Sequence, residues 1–301
     1  MITLQLGIIF ILVTEFVLGE FANVFIVVVN CIDWVKRKKL SPTDWILSAL
    51  ALSRIALLCI LLIYWYSAVA DPALYNGQVK SSILTAWAIT NHVSIWLTTI
   101  LSIFYLLKIV NFSNIVFFHL KKNINSVILV VFFGSFVVLF CYLAVLNVEL
   151  SILMTTYEQN MTCKSNWVGI LHLTNVTLFI ITNVVPFTIS LACVLMLIYS
   201  LYKHLRKMQV HGNGSQDPST KIHVKAMQTV ISFLVLFSIY FLSVIVSIWI
   251  LTVSLNVSSI LLFYAIEVIY PSAHSFVLIW GNRKLKQAFL LMLWQVQCWL
   301  K

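Results

Sequence analysis

Long uninterrupted apolar segments constrain this chain more than any other feature of its sequence. A helix needs about 20 mostly apolar residues to cross the hydrocarbon core of a bilayer. Seven segments reach that length, at 6–32, 45–66, 82–107, 124–147, 168–202, 226–251 and 259–280. Only helices and closed barrels satisfy their backbone hydrogen bonds in lipid, and a barrel would show short alternating segments instead. The pattern predicts an all-α membrane protein, a bundle of seven transmembrane helices.

Charged side chains are too scarce to cover a water-exposed domain of this size. The chain has 301 residues, of which 61% are hydrophobic and 9% are charged. An ordinary soluble domain carries about 25% charged residues. The composition therefore excludes a soluble globular enzyme, a nucleic-acid-binding protein and a disordered tail, despite a pI of about 9.4. We expect a single transmembrane domain over residues 1–301, with membrane lipid as its surroundings and no nucleic acid as a partner.

The distribution of basic residues predicts how the bundle is oriented. All but three of the 19 Lys and Arg residues lie in alternate connectors and in the tail, on one side of the predicted membrane. The exceptions are Lys80 and Lys164 in outer loops and Arg54 inside a span. Cytoplasmic loops carry the excess of Lys and Arg, so the N-terminus is predicted outside and the C-terminus inside. An odd number of spans agrees with that orientation.

Both ends of the chain carry further signals. The N-terminal segment has no basic region and no small-residue cleavage site, so we expect the first span to act as its own signal-anchor rather than as a cleaved signal peptide. In the tail 281–301, residues 284–300 mix basic and large apolar side chains. This mixture favours a short amphipathic helix 8 on the inner leaflet over a frayed tail.

Cysteines and glycosylation sequons narrow the chemistry further. Only Cys163 falls in a predicted outer loop, and no CxxC or HExxH motif occurs, so neither a metal site nor a cofactor is expected. Of the sequons, Asn160 lies in the middle of the longest outer loop and is the predicted glycan acceptor. Asn111 and Asn213 are predicted to be cytoplasmic, where no glycan is added.

A polar group is predicted deep in the inner half of the bundle. Charged residues inside a membrane are costly and are therefore functional candidates. Arg54 and Asn23 both lie about 14 Å above the cytoplasmic end of their spans, so Asn23 is expected as the nearer partner of Arg54, directly or through water. Glu15, Gly19 and Asn23 are spaced four residues apart and share one helix face. A structural clamp and a switch are both compatible with this pattern.

A second polar layer is predicted in the outer half. Helical rise places polar or aromatic side chains from several spans at about 20–30 Å above the inner ends. These candidate ligand-binding residues are Trp65, Trp87, Asn91, Tyr240, Tyr264 and Glu267. Apolar walls with a few polar anchors are typical of a small-molecule site. An aromatic belt at the membrane interface is the alternative for Trp65 and Trp87, but it does not explain Asn91 or Glu267.

No catalytic constellation accompanies these layers. The sequence has neither a G-x-S-x-G nucleophile motif nor a P-loop. Its eight glycines are too few to make glycine-rich phosphate-binding loops common. The intramembrane charges do not repeat along one span, as gating charges would. We therefore expect a protein without enzymatic activity.

Seven spans and a basic inner side suggest a G-protein-coupled receptor, although the usual rhodopsin-like motifs are missing. The third span ends in FYLLK at 104–108 where a D-R-Y motif would stand, and Arg54 replaces the usual Asp. The motifs that are present follow one another through the whole chain: LALSR at 50–54, FYLLKI at 104–109, NFS at 111–113, Pro186-Phe187, SLYKH at 200–204 and GSQDPST at 214–220. In this order they closely resemble the type 2 taste receptors, the bitter taste receptors.

The resemblance implies a plasma-membrane receptor, activated by bitter small-molecule agonists, that couples to a heterotrimeric G protein of the gustducin type through cytoplasmic loops 2 and 3. It implies a ligand pocket around Trp87, Asn91, Tyr240 and the upper seventh span. It also implies an activation or structural network that joins Glu15, Asn23, Arg54, Tyr105, Lys108 and His274.

Two departures from the family pattern leave alternatives open. Some members carry an acidic residue at the position of Tyr264, and Gly is common at the position of Val24. The first departure means that the ligand spectrum cannot be copied from a relative, and the second leaves a non-signalling degenerate receptor copy open. A small-molecule membrane transporter is the alternative from another class of protein. The sequence leaves the agonists and the oligomeric state open.

Overall fold

The computed structural model describes residues 2–36, 41–67, 77–110, 115–158, 166–210, 228, 230–243, 245, 246 and 257–299. All regular secondary structure in this part of the chain is helical. The helices, in chain order, are α1 (Ile2–Val35), α2 (Pro42–Trp65), α3 (Gly77–Ile109), α4 (Ile115–Lys122), α5 (Ile124–Glu158), α6 (Asn166–Val210), α7 (Val230–Ser243), α8 (Val257–Gly281) and α9 (Arg283–Trp299). The predicted all-α class is confirmed.

Six of these helices are long and apolar enough to cross a membrane: α1, α2, α3, α5, α6 and α8. They match the first five predicted spans and the last one. The predicted span 226–251 is represented by α7, which is apolar but shorter than a full membrane crossing. The tail helix predicted at 284–300 is confirmed as α9, whereas the short helix α4 between the third and fourth predicted spans was not predicted. Asn160 and the loop 211–227 lie outside the described residues.

Local sequence explains where α2 and α9 begin. Ser41 caps α2, because its Oγ accepts from the Asp44 backbone N–H at 3.2 Å, while the Ser41 N–H donates to the Asp44 carboxylate at 3.0 Å. Pro42 follows at the first helical position, where no backbone N–H is needed. At α9 the Asn282 side-chain oxygen accepts from the backbone N–H groups of Lys284 and Leu285, at 3.0 and 3.4 Å. Both helices therefore start at a fixed residue.

The third helix occupies the centre of the described bundle. α3 packs against α2, α5 and α6, and it is the most buried of the membrane-length helices. α1 packs against both α2 and α8. A cluster of buried apolar side chains joins α1, α2, α3 and α8 to α9, whose Leu285 is completely buried. This cluster holds α9 against the bundle.

One close approach between helices depends on glycine. A Cβ added at Gly19 of α1 would lie 2.2 Å from Ser272 Oγ and 2.8 Å from Ser272 Cβ of α8. Both distances are far below van der Waals contact, so only glycine lets α1 and α8 approach this closely. The same contact sets the spacing between Asn23 and the polar residues of α8, one turn further along.

Candidate functional site

Arg54 is the centre of a polar cluster that the bundle encloses completely. Its side chain is fully buried on α2. The guanidinium donates to Ser275 Oγ at 3.2 Å, to Thr98 Oγ1 at 3.4 Å and to the Tyr270 hydroxyl at 3.4 Å. It also donates to His274 Nδ1, which must then be the unprotonated ring nitrogen because arginine can only donate. We refer to Arg54, Thr98, Tyr270, His274 and Ser275 as the inner hub.

Asn23 reaches this hub through a side chain that the sequence analysis did not single out. Ser275 Oγ accepts from Arg54 and donates to Asn23 Oδ1 at 2.7 Å. The Asn23 amide in turn donates to the Gly19 carbonyl at 2.8 Å and to the Pro271 carbonyl at 3.4 Å. The direct contact expected between Asn23 and Arg54 is replaced by this bridge, which connects α1, α2 and α8.

The inner hub holds a positive charge among neutral partners. Within the described part of the chain, the ion pairs formed by side chains do not include Arg54. The Tyr270 ring faces the guanidinium, with Arg54 Cζ 5.2 Å from the ring centroid. Arg54 Nε is buried without a hydrogen-bond partner. The charge is thus stabilised by several dipoles and one aromatic face, so each of these partners matters.

Three residues predicted for the same network lie elsewhere. Glu15 has one carboxylate oxygen buried without a hydrogen-bond partner. Tyr105 packs between two apolar clusters near the end of α3. Lys108, also at the end of α3, lies over the Phe104 ring with its Nζ 5.2 Å from the centroid. The structure brings Asn23, Arg54 and His274 together and leaves these three outside the hub.

Earlier on α3 than Thr98, Asn91 connects three helices. Its side-chain oxygen accepts from the Tyr240 hydroxyl of α7, and its amide donates to Asn183 Oδ1 of α6 at 3.4 Å. Asn183 is fixed by its own amide, which donates to the Phe179 carbonyl at 2.8 Å. We call Asn91, Tyr240 and Asn183 the outer link. Asn183 is 5% exposed, and sequence reasoning missed it; its only signal was a polar residue inside an apolar span.

Trp87 lies one turn from Asn91 and borders the outer link. Its ring stacks on Phe179 with centroids 5.8 Å apart, and its side chain also faces the Glu267 carboxyl group of α8. Trp65 instead packs near Ile8 and Leu261, and Tyr264 contacts Tyr64 edge to face at 5.4 Å. The predicted ligand residues therefore form two groups. Trp87, Asn91 and Tyr240 lie around α3, with Glu267 next to Trp87. Trp65 and Tyr264 lie beside α2 and α8.

A narrow cleft opens beside Asn91, between α3, α5 and α6. Its walls are Trp87, Ala88, Asn91, His92, Tyr142, Phe179, Thr182 and Asn183. The cleft has a volume of about 10 Å³, roughly the space that one water molecule requires and far below the roughly 300–1,000 Å³ of typical small-molecule sites. A ligand would therefore have to widen it by displacing a side chain or a helix.

His92 gives this cleft unused hydrogen-bonding capacity. The residue is 5% exposed, and its ring lies beside the Ser135 backbone of α5 without a hydrogen bond of acceptable geometry from either nitrogen. Its ring lies 5.9 Å from that of Trp96, whose indole N–H is also buried without a partner. Buried polar groups are normally paired, so an unpaired donor or acceptor beside a cleft is a candidate contact for a ligand. His92 was not among the residues predicted from the sequence.

An aromatic path joins the outer link to the inner hub. Tyr240 packs against Tyr270 with ring centroids 4.9 Å apart, and Tyr270 bonds to both Arg54 and Thr98. Phe237 also stacks on Tyr270, with ring centroids 5.4 Å apart. A displacement of Tyr240 would therefore act on the hub through one ring.

Among the described residues, no group of three or more His, Cys, Asp and Glu side chains is arranged to hold a metal ion.

The sequence matches those of known proteins over nearly its whole length. A family model described as "Taste receptor protein (TAS2R)" matches residues 1–297. Taste receptor type 2 member 20 of Homo sapiens is 52% identical over 289 residues, which cover 96% of this chain and 94% of the relative. Taste receptor type 2 member 43 of Homo sapiens is 50% identical and taste receptor type 2 member 46 of Pan paniscus is 51% identical, with the same two coverages.

Proposed function

Because the chain belongs to the type 2 taste receptor family, a family of multi-pass membrane receptors, we propose that it is a bitter taste receptor. In this proposal, bitter small molecules bind in the outer half of the bundle and a heterotrimeric G protein binds at the opposite end. The whole-chain family match is the observation that carries the proposal.

The proposed topology has seven spans in one domain over residues 1–301. The sixth span is the segment 226–251, and α7 makes up most of its described part. The N-terminus is outside and the C-terminus inside, because alternate connectors hold nearly all Lys and Arg residues. The plasma membrane is the typical location for such a receptor. We assign the glycan of the longest outer loop to Asn160.

The proposed ligand site centres on the outer link and the cleft beside it. Trp87 supplies an aromatic face, and Asn91 and His92 supply hydrogen-bonding groups. Glu267 adds a carboxyl group next to Trp87, which favours cationic or hydrogen-bond-donating agonists. Trp65 and Tyr264, beside α2 and α8, would contact the part of a larger agonist that extends away from α3.

Agonist binding must compete with contacts that the receptor already makes. Asn91 is occupied by Tyr240 and Asn183, so an agonist that bonds to Asn91 releases at least one of them. The released Tyr240 then moves against Tyr270, the ring that bonds to Arg54. Binding shifts the balance between two bundle arrangements only by its difference in affinity for them.

The proposed output is a rearrangement of the inner ends of α3, α6 and α7. The segments involved are cytoplasmic loops 2 and 3, of which the described part includes α4. In this proposal a gustducin-type G protein binds there. Glu15, Asn23, Arg54, Tyr105, Lys108 and His274 are proposed to stabilise one arrangement over the other, the hub residues by direct contact.

The test is a panel of bitter compounds applied to cells that express the receptor with a chimeric G protein. We expect at least one compound to release intracellular calcium in a receptor-dependent manner. Cellular uptake of the same compound, measured in parallel, should be unchanged by the receptor. Receptor-dependent uptake without calcium release would instead indicate a transporter, and a well-expressed receptor that answers no compound would contradict the proposal.

A further inference from the structure

A second cleft lies at the other end of the bundle, where α2 and α9 begin and α3 ends. Its volume is about 460 Å³, within the range of small-molecule sites. The lining is almost entirely polar: Ser41, Thr43, Asp44, Tyr105, Lys108, Asn282, Arg283, Lys284 and Gln287. We call it the basic cleft, because three of its side chains are cations.

Two of these cations are available to a ligand. Lys108 and Arg283 are exposed, and in the described part of the chain neither belongs to an ion pair. Lys284 differs, because its Nζ lies 2.9 Å from Asp33 Oδ2, 3.3 Å from Asp44 Oδ1 and 2.7 Å from Asn30 Oδ1. The third cation therefore serves to tie α9 to α1 and α2.

The one carboxylate in the lining does not neutralise the other two cations. Asp44 Oδ2 accepts from the backbone and the hydroxyl of Ser41, at 3.0 and 2.8 Å, and Oδ1 faces Lys284. Asn282 uses its side-chain oxygen to cap α9, which leaves its amide N–H groups as donors. The basic cleft thus combines two positive charges outside any described ion pair with amide donors at a helix N-terminus, while its one carboxylate is engaged by Ser41 and Lys284.

The surroundings of the cleft indicate where an anion would come from. α9 is amphipathic, with Leu290, Leu291, Leu293 and Trp294 exposed, as expected of a helix that lies on a membrane surface. Lys and Arg clusters next to such helices bind phosphorylated lipid headgroups. The cleft is therefore within reach of a headgroup of the leaflet in which α9 lies.

We propose that the basic cleft binds a phosphorylated inositol group, held by Lys108 and Arg283 and by the Asn282 amide. Its sources are the headgroup of a phosphoinositide lipid or a soluble inositol phosphate, which share the recognised chemistry. Bound there, the group bridges α3 to α9 and offsets the positive charge at the inner end of the bundle. The site is separate from the outer cleft and requires neither an agonist nor a G protein.

The experiment measures binding to the purified full-length receptor in phosphatidylcholine nanodiscs. The soluble probe is inositol 1,4,5-trisphosphate, and the lipid probe is phosphatidylinositol 4,5-bisphosphate incorporated in the disc. The test variant is Lys108→Gln with Arg283→Gln. The matched control is Lys286→Gln, which removes one positive charge from the same helix; Lys286 lies over the Trp280 ring at 5.0 Å, outside the lining of the cleft.

We expect the double variant to weaken binding by at least about tenfold, because charge-assisted hydrogen bonds to phosphate are lost. Lys286→Gln should change binding by less than about twofold, because this half-buried side chain lies outside the lining of the cleft and its charge acts on a ligand only at a distance, where salt screens it. The exchange Lys108→Arg with Arg283→Lys keeps both charges and should keep most of the affinity, which separates loss of charge from misfolding.

The outcomes are distinct. Binding of both probes identifies the headgroup as the ligand, and binding of the lipid alone identifies the membrane as its source. Absence of both, or an equal loss in Lys286→Gln, overturns the proposal. None of these outcomes depends on agonist response, so the proposed receptor function is tested separately.

Discussion

The inner hub and the outer cleft use polar side chains in opposite ways. In the hub a fully buried cation donates to four side chains, and little capacity is left for a ligand. In the cleft, neither nitrogen of His92 makes a hydrogen bond of acceptable geometry. Satisfied polar groups fix a structure, whereas unsatisfied ones beside a cleft are available for binding. We therefore expect substitutions in the hub to affect every agonist equally and substitutions in the cleft to discriminate among agonists.

The largest expected effect comes from Arg54→Ala. The change leaves a cavity and removes the donor that His274, Ser275, Tyr270 and Thr98 share, and each buried acceptor left without a partner costs roughly 1–3 kcal/mol. Signalling or surface delivery should be abolished for any agonist, as checked by calcium responses and surface labelling. Normal responses from Arg54→Ala would show that the hub has no such role.

Gly19→Ala tests the packing that positions the hub. The added Cβ meets Ser272 at 2.2 and 2.8 Å, so α1 and α8 must separate, at about 1–3 kcal/mol for an overpacked site. The midpoint of thermal unfolding of the purified receptor should fall. Ser272→Gly in the same chain removes both clashing atoms and should restore it, while Gly7→Ala, which meets nothing within 4 Å, is the control. Equal stability of all three would contradict the close approach.

Glu267→Gln tests whether the outer site discriminates among agonists by their charge. The charge-assisted bond that a carboxylate makes to a cationic agonist contributes roughly 1.5–3 kcal/mol. Amine agonists should therefore lose at least about tenfold in potency, while neutral agonists of the same receptor change little. Dose–response curves at matched surface expression provide the measurement. An equal shift for both classes would mean that Glu267 supports the bundle instead of selecting ligands.

The smallest effect is expected from His92→Phe, which keeps a planar ring and removes two unpaired nitrogens. Loss of an unpaired buried polar group should not destabilise the receptor, so its thermal stability should be equal or higher. Agonists that bond to His92 should lose a few-fold in potency, consistent with roughly 0.5–1.5 kcal/mol for one neutral hydrogen bond. A large loss of stability would show that His92 has a structural partner.

Sequence patterns predicted the parts of this molecule that depend on one helix at a time. Apolar length predicted seven spans, of which six are membrane-length helices in the described part of the chain, and the mixture of charged and apolar residues predicted α9. Axial rise placed Asn91 and Tyr240 at one height, and the structure joins them. The rotation of each helix about its axis depends on packing with its neighbours, which no single segment encodes.

The remaining differences follow from that rotation. Ser275 faces Arg54 and Asn23 because of how α8 meets α1 and α2, so the bridge was not visible in the sequence. Asn183 and His92 line the cleft because α6 and α5 pack against α3. Trp65 shares its height with the outer site, yet it packs toward Ile8 and Leu261. Height alone could not assign it to one side of the bundle.

The most direct test of the account separates binding from signalling at one hydroxyl group. Ser275→Ala removes the bridge between Arg54 and Asn23 and preserves the shape of the side chain. Agonist affinity should be measured on the purified receptor without G protein, alongside calcium responses in cells. We expect an affinity within a few-fold of that of the unmodified receptor and a strongly reduced maximal response for every agonist. Loss of affinity with a normal maximal response would contradict it.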